Sequence, residues 1–270
     1  MTSTLSLPVA APAPVSAHVR DCASGVQPTP AQVAAFAHDG WIVLKGALRP
    51  DCVAPLRAEV LEVLRARNMP DSYLAQAQEY LAGRYLDRWI NGPALRAVAT
   101  ALLGTQAHVY MEFTAVKGPQ KGAFGFHQDN NYTRHRIPSS QRSGSLNCWL
   151  ALEPMSVANG ALRVVSASQA KGVVAARNST ENSGHREVAL TPTSWIDVVM
   201  EPGDLCIFDR DTVHGSGPNS TDIPRVAYAV QFHRQDSEAF FDERWELLLT
   251  RPRFSTKPVS QLTDKAQYTE

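Results

Sequence analysis

The sequence predicts a mainly β-sheet protein in which a helical N-terminal third packs on a β-sandwich. Three observations predict this fold class. Short apolar runs separated by Gly, Pro, Asn and Asp follow one another after Gly104, helical spacing of apolar residues is confined to the N-terminal third, and no long helix separates the runs. Short strands at such spacing are typical of an all-β sandwich or barrel, and a doubly wound parallel sheet is disfavoured.

Composition and charge narrow the classes of function. The 270 residues are 44% hydrophobic and 19% charged, which suffices for a sizeable core and argues against disorder. Lys+Arg and Asp+Glu both number 26, so the chain lacks the positive charge that nucleic-acid binding requires. No apolar run approaches the roughly 20 residues that cross a bilayer. The four cysteines are scattered without a C-x-x-C pair, so we expect a cytoplasmic protein with no nucleic-acid or membrane partner.

The N-terminal elements follow a segment of biased composition. Residues 1–29 are rich in Ala, Pro, Ser and Thr and are expected to form a flexible tail. Pro30 suits the start of a helix, and Asp39-Gly40 is expected to break it. The strand predicted next is Trp41–Leu44.

A second helix is predicted over 51–67, because its apolar residues fall on one face and its charges on the other. Asp51 is expected to cap the N-terminus of this helix. Residues 72–103 are expected to be helical in pieces, with a break near Asn91-Gly92-Pro93. These helices make up the predicted helical cover.

The later apolar runs are expected to be strands of the sandwich. In chain order they are HVYMEFTAVK, AFGFHQDNNY, LNCWLALE, LRVVSAS, EVAL, WIDVVM, DLCIFD and RVAYAVQFH. We expect residues 30–254 to form a single domain around them. The polar residues 255–270 are expected to be a C-terminal surface tail.

The segment GAFGFHQDNNY is the most informative for chemistry. Side chains at i and i+2 of a strand share a face, so His127 and Asp129 would converge while Gln128 points away. An imidazole and a carboxylate are part of the facial triad of two His and one carboxylate, which leaves positions open in non-haem Fe(II) oxygenases. Taken alone, the pair equally fits a surface His beside a solvated Asp.

Two later residues complete the pattern. His214 follows the strand run at 205–208 and can supply a third ligand from a different strand. Arg225 lies eleven residues further on, where its guanidinium fork suits a bidentate carboxylate. Together they indicate a metal with open positions and a chelating 2-oxo acid cosubstrate. Singly, His214 fits a core histidine, and Arg225 fits an ion pair with Asp222 or Asp209.

Other side chains stay open as candidates. Asp211 replaces Asp129 as the carboxylate ligand if the strand assignment fails. Arg163 is expected to face solvent. His233 shares strand parity with Arg225 and could line the interior of the sandwich. The further possible histidine ligands are His108, His135 and His185.

The sequence contains, in order, the motifs His127-Gln-Asp129, LNCWLALEPMSVANGALRVV and EPGDLCIFDRDTVHGSGPN, followed by Arg225. In this order they resemble the phytanoyl-CoA dioxygenase family of Fe(II)/2-oxoglutarate oxygenases, and the resemblance spans roughly residues 30–235. The resemblance implies a double-stranded β-helix, the cupin-like jelly roll, with N-terminal helices. It implies that His127, Asp129 and His214 hold Fe(II).

The same resemblance implies a pocket for the cosubstrate. Arg225 would bind the distal carboxylate of 2-oxoglutarate with help from Ser216. Trp149 matches a tryptophan that lines the cosubstrate pocket in some members, and Thr114 is expected to face that pocket as well. Many members read Pro-Gly-Ser-His where this chain has Ser166-Ala167-Ser168-Gln169.

The implied activity consumes 2-oxoglutarate and O2, releases succinate and CO2, and hydroxylates or otherwise oxidises an unactivated C–H bond of a small molecule such as an amino acid or natural-product intermediate. No basic cluster suited to a nucleotide diphosphate is evident, so a CoA thioester is not indicated. Asp129 is the carboxylate that halogenating relatives lose, so halogenation is disfavoured. Two alternatives stay open: a cupin-like metalloenzyme that does not use 2-oxoglutarate, and a non-catalytic β-sandwich binding module. Monomer and homodimer are both compatible with the sequence.

Overall fold

A computed structural model of the chain describes residues 21–66, 75–76, 83–140, 142–180 and 185–251. Its helices are α1 (Pro30–Asp39), α2 (Pro50–Ala66), α3 (Tyr85–Asn91) and α4 (Pro93–Leu103). Its strands are β1 (Trp41–Leu44), β2 (Ala75–Gln76), β3 (Ala107–Lys117), β4 (Phe124–His127), β5 (His135–Arg136), β6 (Ser145–Ala151), β7 (Leu162–Val164), β8 (Ala176–Asn178), β9 (Arg186–Val188), β10 (Ile196–Val198), β11 (Leu205–Asp209), β12 (His214–Ser216), β13 (Arg225–Arg234), β14 (Glu238–Phe241) and β15 (Arg244–Leu247).

The first helix is bounded by local signals in the sequence. Thr29 and Gln32 form a reciprocal capping box at its start. Gly40 ends it at φ 80°, a left-handed conformation that glycine adopts without strain, and its N–H donates to the carbonyl of Phe36. The predicted helix and the strand after it are confirmed.

The other N-terminal elements correct three expectations. Helix α2 begins at Pro50, so Asp51 lies in its first turn and is not its cap. Ala75–Gln76 pairs with β3 as a strand in a region expected to be helical. Cys22 is fully buried, and its carbonyl accepts from the N–H of Arg49, so the described part of the segment expected to be a flexible tail instead packs against the core at this residue. The expected C-terminal tail lies outside the described residues, and a single domain over 30–254 stays a prediction.

Two antiparallel sheets form the body of the fold. The larger has the strand order β1-β11-β6-β13-β3-β2, and the smaller has the order β10-β7-β12-β4. Strands β14, β15 and β5 make a three-stranded sheet, and β8 pairs with β9. Each run predicted after residue 104 overlaps a strand, although AFGFHQDNNY is a strand only over Phe124–His127. Several of the shortest strands carry no sequence signal of their own.

Successive side chains of β13 point to opposite faces of the larger sheet, and a separate apolar cluster lies on each face. Val226 and Tyr228 pack into a cluster with the helices, which therefore cover the outer face. Ala227 and Ala229 belong to the other cluster, which fills the space between the two sheets. The inward side chains of β13 at these two positions are small.

Among the described residues, no helix combines the length and apolarity needed to span a bilayer.

Candidate metal centre

The two histidines of the predicted site lie side by side on neighbouring strands of the smaller sheet. His127 is the last residue of β4, His214 is the first residue of β12, and the two are Cα partners in the register. Asp129 begins a 3-10 helix, Asp129–Asn131, because the strand ends two residues earlier. The prediction that His127 and Asp129 converge is right, but the reason given for it, a shared face of one strand, is wrong.

The ligand atoms of His127, Asp129 and His214 all lie within 4.8 Å of one another, and the three residues are buried. The Oδ1 atom of Asp129 is 3.9 Å from Nε2 of His127 and 3.7 Å from Nε2 of His214. Within the part of the chain that the structure describes, these three residues are the one such group of His, Cys, Asp and Glu.

Backbone carbonyls orient both imidazoles toward the same point. Nδ1 of His127 donates to the carbonyl of Gly125 at 3.0 Å, and Nδ1 of His214 donates to that of Thr212 at 2.8 Å. Each Nδ1 thus carries the proton, and each Nε2 turns its lone pair toward Asp129. Burial lowers the pKa of His127 well below its ordinary value and also lowers the pKa of His214.

Two neutral imidazole lone pairs and a carboxylate oxygen converge with no proton between them, which is favourable only around a cation. The donor set of two nitrogens and one oxygen fits Fe(II). The residues present therefore fit the metal that the sequence implied.

The second oxygen of Asp129 is held by two carboxamides that the sequence did not single out. Nε2 of Gln231 donates to Oδ2 at 2.9 Å, and Nδ2 of Asn147 donates to it at 3.3 Å. Arg210 donates through Nη1 to Oε1 of Gln231, which fixes the orientation of that amide so that its N–H faces Asp129. Oδ2 is thereby occupied and Oδ1 is left for a metal.

A second polar layer lies beside His127. His185 donates through Nε2 to the carbonyl of Gly125 at 3.2 Å, the same atom that orients His127. The hydroxyl of Tyr132 donates to Nδ1 of His185. Burial lowers the pKa of His185 to about 4, so this imidazole is neutral at pH 7.

The predicted carboxylate receptor is inside the sandwich. Arg225 is 3% exposed, donates through Nη1 to the carbonyl of Gly160 at 2.7 Å, and leaves Nε without a partner. Its guanidinium lies 5.1 Å from the centroid of the Trp149 ring. Asp222 and Asp209 instead accept from Gln120 and Ser143, so the ion-pair alternative does not hold.

Lys117 is the functional candidate that sequence reasoning missed in this pocket. It is the Cα partner of Arg225, it is fully buried, and its Nζ donates to Oγ of Ser216 at 2.8 Å. A lysine at the end of an apolar run ordinarily reaches solvent. Only the register between β3 and β13 shows that it lies beside Arg225.

Thr114 lies on the wrong face of β3 for its predicted role. It is the Cα partner of Tyr228, and its neighbour Val116, two residues along, packs in the cluster with the helices. Lys117 and Ala115 have the opposite parity and face the space between the sheets. The expectation that Thr114 faces the cosubstrate pocket is corrected accordingly.

The remaining candidates do not join the metal ligands. Asp211 accepts from Nδ2 of Asn130 at 2.7 Å instead of facing the histidines. His135 and His233 lie near Tyr110, with ring centroids at 4.5 Å and 6.5 Å from its ring, and His108 stacks on His233. His233 thus faces the interior as its parity indicated, but outside the triad.

Arg163 and residues 166–169 are the last parts of the sequence prediction to be compared with the structure. Arg163, expected to face solvent, is partly buried, and its Nε donates to Asp197 at 2.9 Å. In Ser166-Ala167-Ser168-Gln169, where the sequence differs from the family motif, Ala167 adopts φ 59°. Oγ of Ser168 accepts from the N–H of Val213, the residue before His214. The segment therefore supports the strand that begins at His214.

The model of the family described as phytanoyl-CoA dioxygenase (PhyH) matches residues 36–227. Ectoine dioxygenase of Bordetella parapertussis is 23% identical over 264 residues, covering 86% of this chain and 85% of that protein. Dioxygenase ALT11 of Alternaria alternata is 26% identical over 217 residues, covering 72% of this chain and 68% of that protein.

Solved structures confirm the jelly-roll fold. The non-heme alpha ketoglutarate dependent carbocyclase SnoK from nogalamycin biosynthesis has a TM-score of 0.64 at 20% identity, over 80% of this chain and 87% of that one. The epimerase SnoN, solved with Fe3+, alpha ketoglutarate and nogalamycin RO, has a TM-score of 0.63 at 20% identity, over 76% of this chain and 83% of that one.

Proposed function

Because the chain belongs to the phytanoyl-CoA dioxygenase family, it is an Fe(II)/2-oxoglutarate-dependent oxygenase, and we propose that it hydroxylates an unactivated C–H bond of a small molecule. The convergence of Nε2 of His127, Nε2 of His214 and Oδ1 of Asp129 carries this proposal. The products would be the alcohol, succinate and CO2, with one oxygen atom of O2 in the alcohol and the other in succinate.

When bound by this triad, Fe(II) would supply the activation of O2, which is coupled to the oxidative decarboxylation of 2-oxoglutarate. His127, His214 and Asp129 would hold the ion on one side and leave the other side for ligands. Gln231 and Asn147 keep Asp129 in place through its Oδ2.

The cosubstrate would lie between the metal and the buried cation. Arg225 and Ser216 bind its distal carboxylate, and Trp149 packs against the guanidinium. Ala227 and Ala229 lie on the same face of β13 in a buried apolar cluster, and their short side chains would face its carbon chain.

The substrate class is proposed from the relatives. One relative is named for ectoine, and the titles of SnoK and SnoN name nogalamycin biosynthesis. We propose a small molecule such as an amino acid or natural-product intermediate as the substrate of this chain, in keeping with the absence from the sequence of a basic cluster for a CoA nucleotide.

An oxygen-free titration tests the centre. Adding 2-oxoglutarate to the Fe(II)-loaded protein should produce a weak visible charge-transfer band, and Asp129→Ala should abolish it. Arg225→Gln should raise the concentration of 2-oxoglutarate that gives half the band while leaving Fe(II) affinity unchanged. A folded, iron-loaded wild type that shows no band would overturn the proposal in favour of a cupin-like metalloenzyme. Screening candidate metabolites for stimulated succinate release then identifies the substrate.

A further inference from the structure

Two basic side chains share one buried pocket at the end of the larger sheet. Lys117 ends β3, Arg225 begins β13, and the register makes them Cα partners. Lys117 is 0% exposed and Arg225 is 3% exposed. Both share with Ala115 and Ala227 the face of their strands that lies toward the space between the sheets.

The contacts of Lys117 leave its side chain able to bind an anion. Its Nζ donates to Oγ of Ser216 at 2.8 Å and to the carbonyl of Gly217. A protonated lysine has three donors, so taking up a proton would give Lys117 one further N–H for an anion. Since Oγ of Ser216 accepts from Lys117, its own hydroxyl proton can be donated to another acceptor.

No carboxylate in the described part of the chain forms an ion pair with Lys117 or Arg225. The charged groups around Lys117 are Arg225 on β13 and Arg163 on β7, whereas β12 contributes the neutral Ser216. Nε of Arg225 has no hydrogen-bond partner. Two buried basic groups without an acidic partner are costly, and a bound anion removes that cost.

We propose that Lys117 is a second basic contact for the distal carboxylate of 2-oxoglutarate, binding it directly and directing the hydroxyl of Ser216 toward it. The inference rests on the proposed function and assigns a residue that the sequence pattern did not identify. Lys117 is a binding and positioning residue and takes no part in the oxidation itself.

The protonation of Lys117 gives this role a measurable signature. Burial, followed by the charges of Arg225 and Arg163, lowers the pKa of Lys117 to about 6. The free protein therefore holds it largely as the amine at pH 7.5. A carboxylate placed beside it favours the ammonium, so binding takes up a proton from solvent and the affinity for 2-oxoglutarate falls as the pH rises above about 6.

The experiment is calorimetric titration of 2-oxoglutarate into the Fe(II)-loaded protein without O2, at pH 7.5, in phosphate and in Tris. These buffers differ in ionisation enthalpy, so the difference in heat counts protons. The wild type should take up close to one proton. Lys117→Met should take up none and bind roughly 10- to 100-fold more weakly, as expected on losing a hydrogen bond to a charged group.

Two further variants control the test. Lys117→Arg keeps a permanent positive charge, so it should retain most of the affinity but lose the proton uptake, which decides the matter even if Lys117→Met does not fold. Lys121→Met removes a surface lysine four residues along and should change neither quantity. Fe(II) affinity should be the same in all of these proteins.

The outcomes separate the two proposals. A wild type that binds no 2-oxoglutarate contradicts the proposed function itself. A wild type that binds it without proton uptake, or a folded Lys117→Met protein with unchanged affinity, leaves that function standing and overturns the role of Lys117.

Discussion

Replacing Gln231 by Met tests whether the amide behind Asp129 controls metal binding. Met has a similar length and no donor, so Gln231→Met removes the 2.9 Å hydrogen bond to Oδ2 of Asp129 and the acceptor that Arg210 uses. A hydrogen bond to a charged group contributes about 1.5–3 kcal/mol, which corresponds to roughly 10- to 100-fold in affinity. Partners behind metal ligands have effects of the same order.

The assay is anaerobic competition for Fe(II) between the protein and a chelator of known affinity. Gln231→Met should weaken Fe(II) binding by roughly 10- to 100-fold. Asn147→Ala removes the longer contact at 3.3 Å and should have a smaller effect. Gln120→Met, at a surface glutamine that donates to Oδ1 of Asp222, is the matched control and should have none. Equal Fe(II) affinity in Gln231→Met and wild type, with unchanged thermal stability, would refute the reasoning.

Three further predictions concern stability and the spacing of the ligand strands. Burial lowers the pKa of His233 from its ordinary value of about 6.5 to about 4. Its contribution to the free energy of unfolding is therefore complete above about pH 6.5 and is lost as the pH falls toward 4, by up to about 3 kcal/mol. In chemical denaturation at several pH values, His233→Gln should flatten this acid loss, and the surface variant His38→Gln should not. Ala167 sits at φ 59°, so Ala167→Gly should raise the free energy of unfolding by about 1 kcal/mol, whereas a similar gain in Ala170→Gly would show that the backbone conformation is not the cause. A Cβ on Gly215 would lie 2.8 Å from a backbone oxygen of β4, so Gly215→Ala should displace the strand that carries His214. This variant should lose about 1–3 kcal/mol in the free energy of unfolding and bind Fe(II) more weakly. Unchanged Fe(II) binding in the competition assay would contradict this prediction.

The elements that the sequence predicted are those with strong local signals. A proline, a capping threonine and a terminal glycine define α1, and alternating or continuous apolar runs define β3, β6, β11 and β13. Strands of two or three residues, such as Ala75–Gln76, have too few residues for a pattern. They form because their backbone groups pair with those of a longer neighbouring strand. The burial of Cys22 likewise depends on residues distant in the chain.

The candidate ligands were predictable because their chemistry is rare in this combination. His127, Asp129 and His214 have the donor types that Fe(II) takes, and Arg225 has the fork that takes a carboxylate. The reason for their convergence was only partly visible, since Asp129 leaves the strand and reaches the histidines from a 3-10 helix. Thr114 failed as a candidate because the face of β3 was assigned without its partner strand.

The amino-acid sequence by itself determined the class of fold and pointed to the candidate ligands and the candidate basic anchor, since periodicity and side-chain chemistry are local properties. Only the tertiary structure decided which other residues serve the site: Gln231 and Asn147 behind Asp129, and Lys117 beside Arg225. Hydrogen-bond partners and the pairing of distant strands depend on register, which a linear chain does not display.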